Sequence, residues 1–219
     1  MTGTPSIWTR PERGSRGPQA THSRDEIVRA AITLADTDGL AAVSMRAVAG
    51  ALGTGAGTLY RHLSSRDDLL DLMADQVVAE LRPYPEPGPD WTGALLDLAR
   101  AQLELNRRHP WLMDALPRDS GAGPEALAWF DHCLRVLTPV PADSAAKFET
   151  IGVMTGVVSL FARNERSSPP PVLTGLDVTA YPHLVAAIGE PGAPRPDLLE
   201  RILRGLFAAL LTSDPEADL

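Results

Sequence analysis

The chain has 219 residues, 44% of them hydrophobic, 22% charged and 5% aromatic, with a net charge of −8. That balance belongs to a globular protein of one large domain or two small ones. No apolar run approaches the roughly 20 residues of a bilayer crossing, and the first residues lack the apolar stretch of a signal peptide, so a cytoplasmic location is expected. A single cysteine, Cys133, leaves no internal disulfide to form, and its place on an apolar helix face reads as core packing.

Charge is unevenly spread. Residues 1–66 carry eight arginines against five acids, whereas residues 67–219 carry twelve basic residues against twenty-three acids. A basic head on an acidic body suits a protein whose front approaches phosphate. Residues 1–22, with Pro5, Pro11 and Pro18 among Arg10, Arg13 and Arg16, have no helical or strand period. They read as a disordered arm whose arginines are available to phosphate or the minor groove, with Trp8 as a tether to a place the sequence does not name.

A first helix is predicted from Ser23 or Arg24 to Thr37, burying Ile27, Ala31 and Leu34 and ending near Gly39. Ser44 then caps a segment in which Met45, Val48, Ala49 and Leu52 recur at helical spacing. It stops at Gly53. Thr54 to Gly57 form a turn, and Leu59 and Leu63 share one face of the segment after it. Two short helices joined by a glycine-bearing turn are the helix-turn-helix layout, in which the second helix enters the DNA major groove. Ser65, Asp67 and Asp68 open a further helix whose apolar positions are Leu69, Leu70, Met73, Val77 and Leu81. RPYPEPGPD, residues 82–90, breaks it.

These residues carry a resemblance. Met45 through Leu70, with LYRHL, a following basic residue and LL, closely resembles the DNA-binding domain of the tetracycline-repressor (TetR) family of ligand-controlled regulators. Ile27, Ala30, Ala31, Leu34, the DGL of residues 38–40 and Val43 fit the same pattern. Beyond residues 23–80 the likeness thins, although HPWL at 109–112 and GVMTGVVSLFARNE at 152–165 are similar to helices of that family's regulatory domains. The resemblance implies that Tyr60, His62 and Arg66 contact the DNA backbone and that a basic residue at Arg46 reads bases. Guanidinium chemistry supports the last point, because it grips two acceptors of guanine. The DNA-binding set is thus Ser44, Arg46, Thr54, Gly55, Gly57, Thr58, Tyr60, His62 and Arg66. Only glycine and alanine lie between Thr54 and Thr58, so direct readout by the recognition helix is thin, and its glycines let backbone approach the duplex.

The remainder is predicted helical as well: Trp91 to Arg108, Trp111 to Leu116, a helix opened by Pro124, Asp143 to Asn164, a short piece near Tyr181 to Ile188, and Pro196 to Leu211. No period-two strand and no repeat is present, so the fold class is all-α: an N-terminal three-helix helix-turn-helix domain and a C-terminal helical domain for ligand binding and dimerisation. The boundaries are 1–22 for the arm, 23–70 for the DNA-binding domain, 71–81 for a connecting helix segment and 82–214 for the second domain. The helices near 143–164 and 196–211 are apolar on more than one face, which predicts a homodimer held by a four-helix bundle. Its interface set is Val157, Val158, Phe161, Leu199, Ile202, Leu203, Leu206 and Leu210. A small-molecule effector is expected between helices, near Trp111, Met113, Trp129, Phe130, His132, Phe148, Met154, Thr155 and Phe161.

Other chemistries lack their signatures. There is no CxxC, HExxH or GxSxG, and no His with a carboxylate at one-face spacing, so neither an enzyme nor a metal site is expected, and no cofactor. GTGAGT at 53–58 looks like a phosphate loop, but a helix precedes it where a strand is required. In the tetracycline repressor a metal-contacting histidine stands in a GxxT-like segment; this chain has Gly152, Val153, Met154 and Thr155, so no metal carries over. The reading is a ligand-responsive repressor that binds double-stranded operator DNA as a dimer. The alternative is a helical interaction or sequestering module with a degenerate helix-turn-helix.

Overall fold

The computed structural model describes residues 7–8, 22–115, 122–166, 180–189 and 195–211. Most of the predicted arm, including Arg10, Arg13 and Arg16, lies outside the described residues, as does the end of the second domain at 214. Among those described there are ten α-helices and no strand: α1 Arg24–Asp38, α2 Met45–Ala51, α3 Ala56–Leu59, α4 Arg66–Val78, α5 Trp91–Arg108, α6 Leu112–Ala115, α7 Pro124–Val136, α8 Ser144–Arg166, α9 Pro182–Gly189 and α10 Leu198–Leu211.

Local chemistry starts and stops the first four. Ser23 and Glu26 make a reciprocal capping box on α1, and the bond to Ser23 holds the Glu26 carboxyl below its ordinary range. Ser44 accepts from the Ala47 amide at 3.1 Å to start α2. Ser65 accepts from Asp68 at 3.0 Å while Asp68 accepts from Ser64 at 2.7 Å, so the entry to α4 is capped from both sides. Between α2 and α3 the chain turns through Gly53 at φ +64°, a conformation any side chain would resist.

The head closes over Ile27, Ala31, Val48, Leu59, Leu69 and Met73, each fully buried. Burying a side chain of this size stabilises the fold by roughly 1.5–3 kcal/mol. The same apolar cluster takes in Leu105, Trp111, Leu112 and Ala115 from the end of α5 and from α6. A second cluster joins α5, α7, α8 and α10 through Leu95, Leu98, Cys133, Ile151, Met154, Val158, Leu203 and Phe207. Burial pushes the Cys133 thiol up to about 12, so it stays a protonated packing group.

The stretch Ser144–Glu165 of α8, 22 residues at mean hydropathy 1.3, is long and apolar enough to cross a membrane by length and composition. This corrects the expectation that no apolar run approaches that size. In the fold α8 packs lengthwise on α5 and α10, with Ile151, Met154, Val158 and Ala162 inward. Its other face shows Phe148, Val153 and Leu160, at 52%, 44% and 56% exposure, with Gly152 and Gly156 between them. On α10, Ile202 is exposed, and Leu206 and Leu210 are half-buried. Of the predicted dimer residues, Val158, Leu199 and Leu203 are corrected: their own protomer's core consumes them. Val157, Phe161, Ile202, Leu206 and Leu210 keep surface to offer.

Arg66, expected at the DNA backbone, has a structural role as well. Its Nε donates to the Val43 carbonyl at 2.8 Å and its Nη2 to the Leu40 carbonyl at 3.0 Å, stapling the start of α4 to the turn before α2. Those donors are not available to phosphate. Arg66→Ala is expected to lower stability by on the order of 1–3 kcal/mol, and Arg66→Lys to recover little, since an ammonium lacks the two-pronged geometry. Denaturant midpoints check this; an unchanged midpoint in Arg66→Ala would show the staple to be idle.

Candidate functional site

The helix-turn-helix surface is small-featured at its tip. Gly55 caps α3 without a side chain, Gly55 and Gly57 are exposed, and a Cβ at either would meet nothing within 4 Å. Packing therefore does not require these glycines; what they leave is open space beside the backbone. Thr54 donates to Thr58 at 3.1 Å, tying the turn to the helix. Arg46 is exposed near the start of α2, and Tyr60 is 52% exposed past the end of α3, so both face outward beside the tip. His62 is half-buried, with Nε2 enclosed and lacking a hydrogen-bond partner, so that nitrogen does not face a phosphate in this conformation. Ser44 is spent on capping α2.

Behind the head, two contacts tie α1 to the loop after α5. Asp36 Oδ1 accepts from the Trp111 indole at 2.6 Å and lies 2.8 Å from His109 Nδ1. The other imidazole nitrogen of His109 stands 3.3 Å from Glu80, which also pairs with Arg108 at 2.9 Å. Trp111 is thus a joint between head and body rather than a ligand contact, which corrects its expected role.

The body encloses a cavity of about 350 Å³ walled by α4, α5, α6, α7, α8 and Trp8. Met113, Trp129, Phe130 and Thr155 of the predicted set line it. The others do not: Met154 is core, Phe161 is half-buried against the second cluster, and Phe148 faces outward. His132 stacks on Tyr84 at 4.7 Å, with Nδ1 3.1 Å from Arg135. Burial, helped by Arg135, lowers its pKa and so favours the neutral imidazole.

Sequence reasoning missed several lining residues. Gln102 and Asn106, one turn apart on the inner face of α5, are 8% and 3% exposed, and both line the cavity. Gln102 lies within an otherwise leucine-rich stripe, and that break in the pattern was the available signal. Asp75 of α4 accepts from the Glu125 and Ala126 amides at 2.9 and 3.3 Å, holding the start of α7. Burial raises its pKa while those amides oppose the rise. Gly123 is required beside it, because a Cβ there would stand 2.2 Å from Asp75 and 2.8 Å from Trp8. Trp8 therefore has its tether: the cavity wall, where Ile7 next to it is 4% exposed.

A three-helix head bearing a turn and probe helix, joined by α4 to a cavity-bearing helical body, is the architecture of helix-turn-helix regulators. Residues 27–73 match the profile of the tetR family of bacterial regulatory proteins. The chain is 37% identical over 163 residues to the HTH-type transcriptional repressor DrrR1 of Streptomyces coeruleorubidus, covering 73% of this chain and 59% of that protein. It is 41% identical over 126 residues to an HTH-type transcriptional regulator of Saccharopolyspora erythraea, covering 56% of this chain and 52% of that one. It thus spans little more than half the length of these two relatives. Among solved structures, the TetR family protein ActR of Streptomyces coelicolor in complex with (S)-DNPA superposes with a TM-score of 0.73 at 27% identity, covering 88% of this chain and 98% of ActR. The head, over residues 27–73, thus carries the profile of the tetR family of bacterial regulatory proteins.

Because nothing packs against Gly57, Gly57→Ala separates folding from recognition. Stability is expected to rise by up to about 1 kcal/mol, the helix-propensity difference, while affinity for operator duplex falls as the methyl holds the backbone off the groove. Thermal melts and fluorescence anisotropy on one preparation read both; undiminished affinity would remove close backbone approach from the account.

Proposed function

We propose that the protein is a ligand-responsive, DNA-binding transcriptional regulator: a repressor that occupies a palindromic operator as a homodimer and leaves it when a small molecule fills the cavity. Residues 23–70 are the DNA-binding unit, 71–81 the connecting segment and 82–214 the ligand-binding and dimerisation unit, working in the cytoplasm without enzymatic activity. The observation that carries this reading is the span of α4. It begins at the Arg66 staple beneath the helix-turn-helix and farther along presents Asp71, Ala74, Asp75 and Val78 to the cavity. One rigid element thus touches both sites, which is what coupling between them requires.

Contact roles follow from exposure. Arg46 reads a base edge, Tyr60 meets phosphate, and the glycine-lightened tip of α3 brings backbone to the groove. The outward faces of α8 and α10 pair with their copies, setting the two heads about 34–36 Å apart, one turn of B-DNA. The name of DrrR1 as a repressor and the capture of ActR with a small molecule support the two halves of the reading. A ligand shifts the spacing only by as much as it prefers the released conformation.

Anisotropy titrations on palindromic and random duplexes over a range of salt test this. Affinity is expected to fall steeply and log-linearly with salt, the palindrome to be preferred, and Arg46→Ala to erase roughly 1–3 kcal/mol of that preference. Failure to bind any duplex in low salt would overturn the proposal.

A further inference from the structure

The probe helix is followed by a free guanidinium that no expected contact set includes, and what it does rests on the DNA-binding reading above. Between residues 22 and 66 the chain carries five arginines. Arg24 and Arg29 line a depression between α1 and α4, and Arg66 is held on the carbonyls of Leu40 and Val43. The side chains of Arg46 and Arg61 are exposed and make no hydrogen bond or ion pair with any described residue. Turning either toward a duplex therefore breaks no bond inside the head. Arg46 was expected at the bases, whereas Arg61, lying between Tyr60 and His62, was not in the DNA-binding set.

The backbone fixes where Arg61 stands. The Tyr60 amide donates to the Ala56 carbonyl at 3.4 Å, Arg61 to Thr58 at 3.3 Å and Leu63 to Leu59 at 3.0 Å, so the helical path of α3 continues to Leu63. Leu59 and Leu63 are 0% and 2% exposed and turn into the core of the head. Arg61 is two residues from each, about 200° around the helix at 100° per residue, which puts it opposite the buried face. That outward centre is the part of a recognition helix that lies deepest in the major groove, where base edges are met before phosphates.

Gly57 explains how the side chain gets there. It stands four residues before Arg61 on the same face, exposed, with open space where a Cβ would be. Helical side chains lean back toward the N-terminus and cover the preceding turn, so Arg61 covers the turn that holds Gly57. One turn is ~5.4 Å, a distance an extended arginine spans. The small-featured tip and the long side chain one turn behind it thus make one surface: the glycine clears the path that the guanidinium uses.

We infer that Arg61 is a specificity-determining residue of this chain, reading the O6 and N7 acceptors of a guanine across Gly57, as a second base contact separate from that of Arg46.

The test takes as probes the duplexes that the full chain enriches from random DNA. The parent is expected to enrich a guanine whose preference disappears in Arg61→Ala, at a position other than the one lost in Arg46→Ala. Replacing that guanine by 7-deazaguanine removes N7 and keeps the base pair. This is expected to weaken the parent roughly tenfold and Arg61→Ala by about twofold at most. Arg61→Ala is expected to melt with the parent, because its side chain holds nothing inside the head. An unchanged sequence preference in Arg61→Ala, or equal sensitivity of both proteins to 7-deazaguanine, would overturn the inference. So would a uniform loss over all duplexes with a salt slope lower by about one, which marks a phosphate contact instead. In each of those cases the parent still binds duplex and the regulatory reading stands. If the parent binds no duplex in low salt, that reading falls and the role of Arg61 with it.

Discussion

A single carboxylate oxygen, Asp36 Oδ1, receives the indole N–H of Trp111 and lies within hydrogen-bond distance of the His109 imidazole. It stands in the last turn of α1, where the helix's own dipole disfavours negative charge, so the two ring nitrogens beside it offset that placement. Trp111 and His109 are 3% and 8% exposed, and either left without its acceptor would cost about 1–3 kcal/mol. Through this junction the first helix of the head is fixed to the loop that follows α5. Leu105 and Leu112, on either side of that loop, extend the head's apolar cluster into the body. Head and body share a core there as well as a chain connection.

That shared core gives α4 something to work against. The helix is held at its start by Arg66 on the carbonyls of Leu40 and Val43, and farther along by Asp75 on the amides that begin α7. A guest that rearranges α7 or α5 therefore acts on Asp75 and, through it, on the helix that carries the head. Gln102 and Asn106 of α5 line the same cavity. In the proposed dimer a small tilt would become a change of spacing, since both heads would ride on one α8 and α10 bundle.

Much of this was legible in the sequence because its signals are local. Ser44 caps the helix it was read to cap, Ser23 and Ser65 stand as N-caps where their helices were predicted to open, and Gly53 takes the positive φ that ends the first helix of the motif. The apolar spacing of α5, α7, α8 and α10 placed those helices. What spacing cannot give is the partner across space. The structural role of Arg66 was invisible because nothing local shows carbonyls 23 and 26 residues away turning toward it. Trp111 was read with the ligand set because an aromatic in a regulatory helix carries no mark that its indole reaches α1. On α8 and α10 the apolar residues cover more than one face, so periodicity did not decide which of Val157 and Val158, or of Ile202 and Leu203, turns outward. Trp8 was opaque for the same reason, its wall being built from α4 and the start of α7.

The central claim is that the Asp36 junction makes head and body one mechanical unit. Native-state hydrogen exchange on the parent and on Asp36→Ala measures it without need of DNA or ligand. The account predicts that amides of α1 and α2 in the parent open together with those of α5, and that in the variant they lose protection well ahead of α5. Equal protection of α1 relative to α5 in both proteins would contradict it.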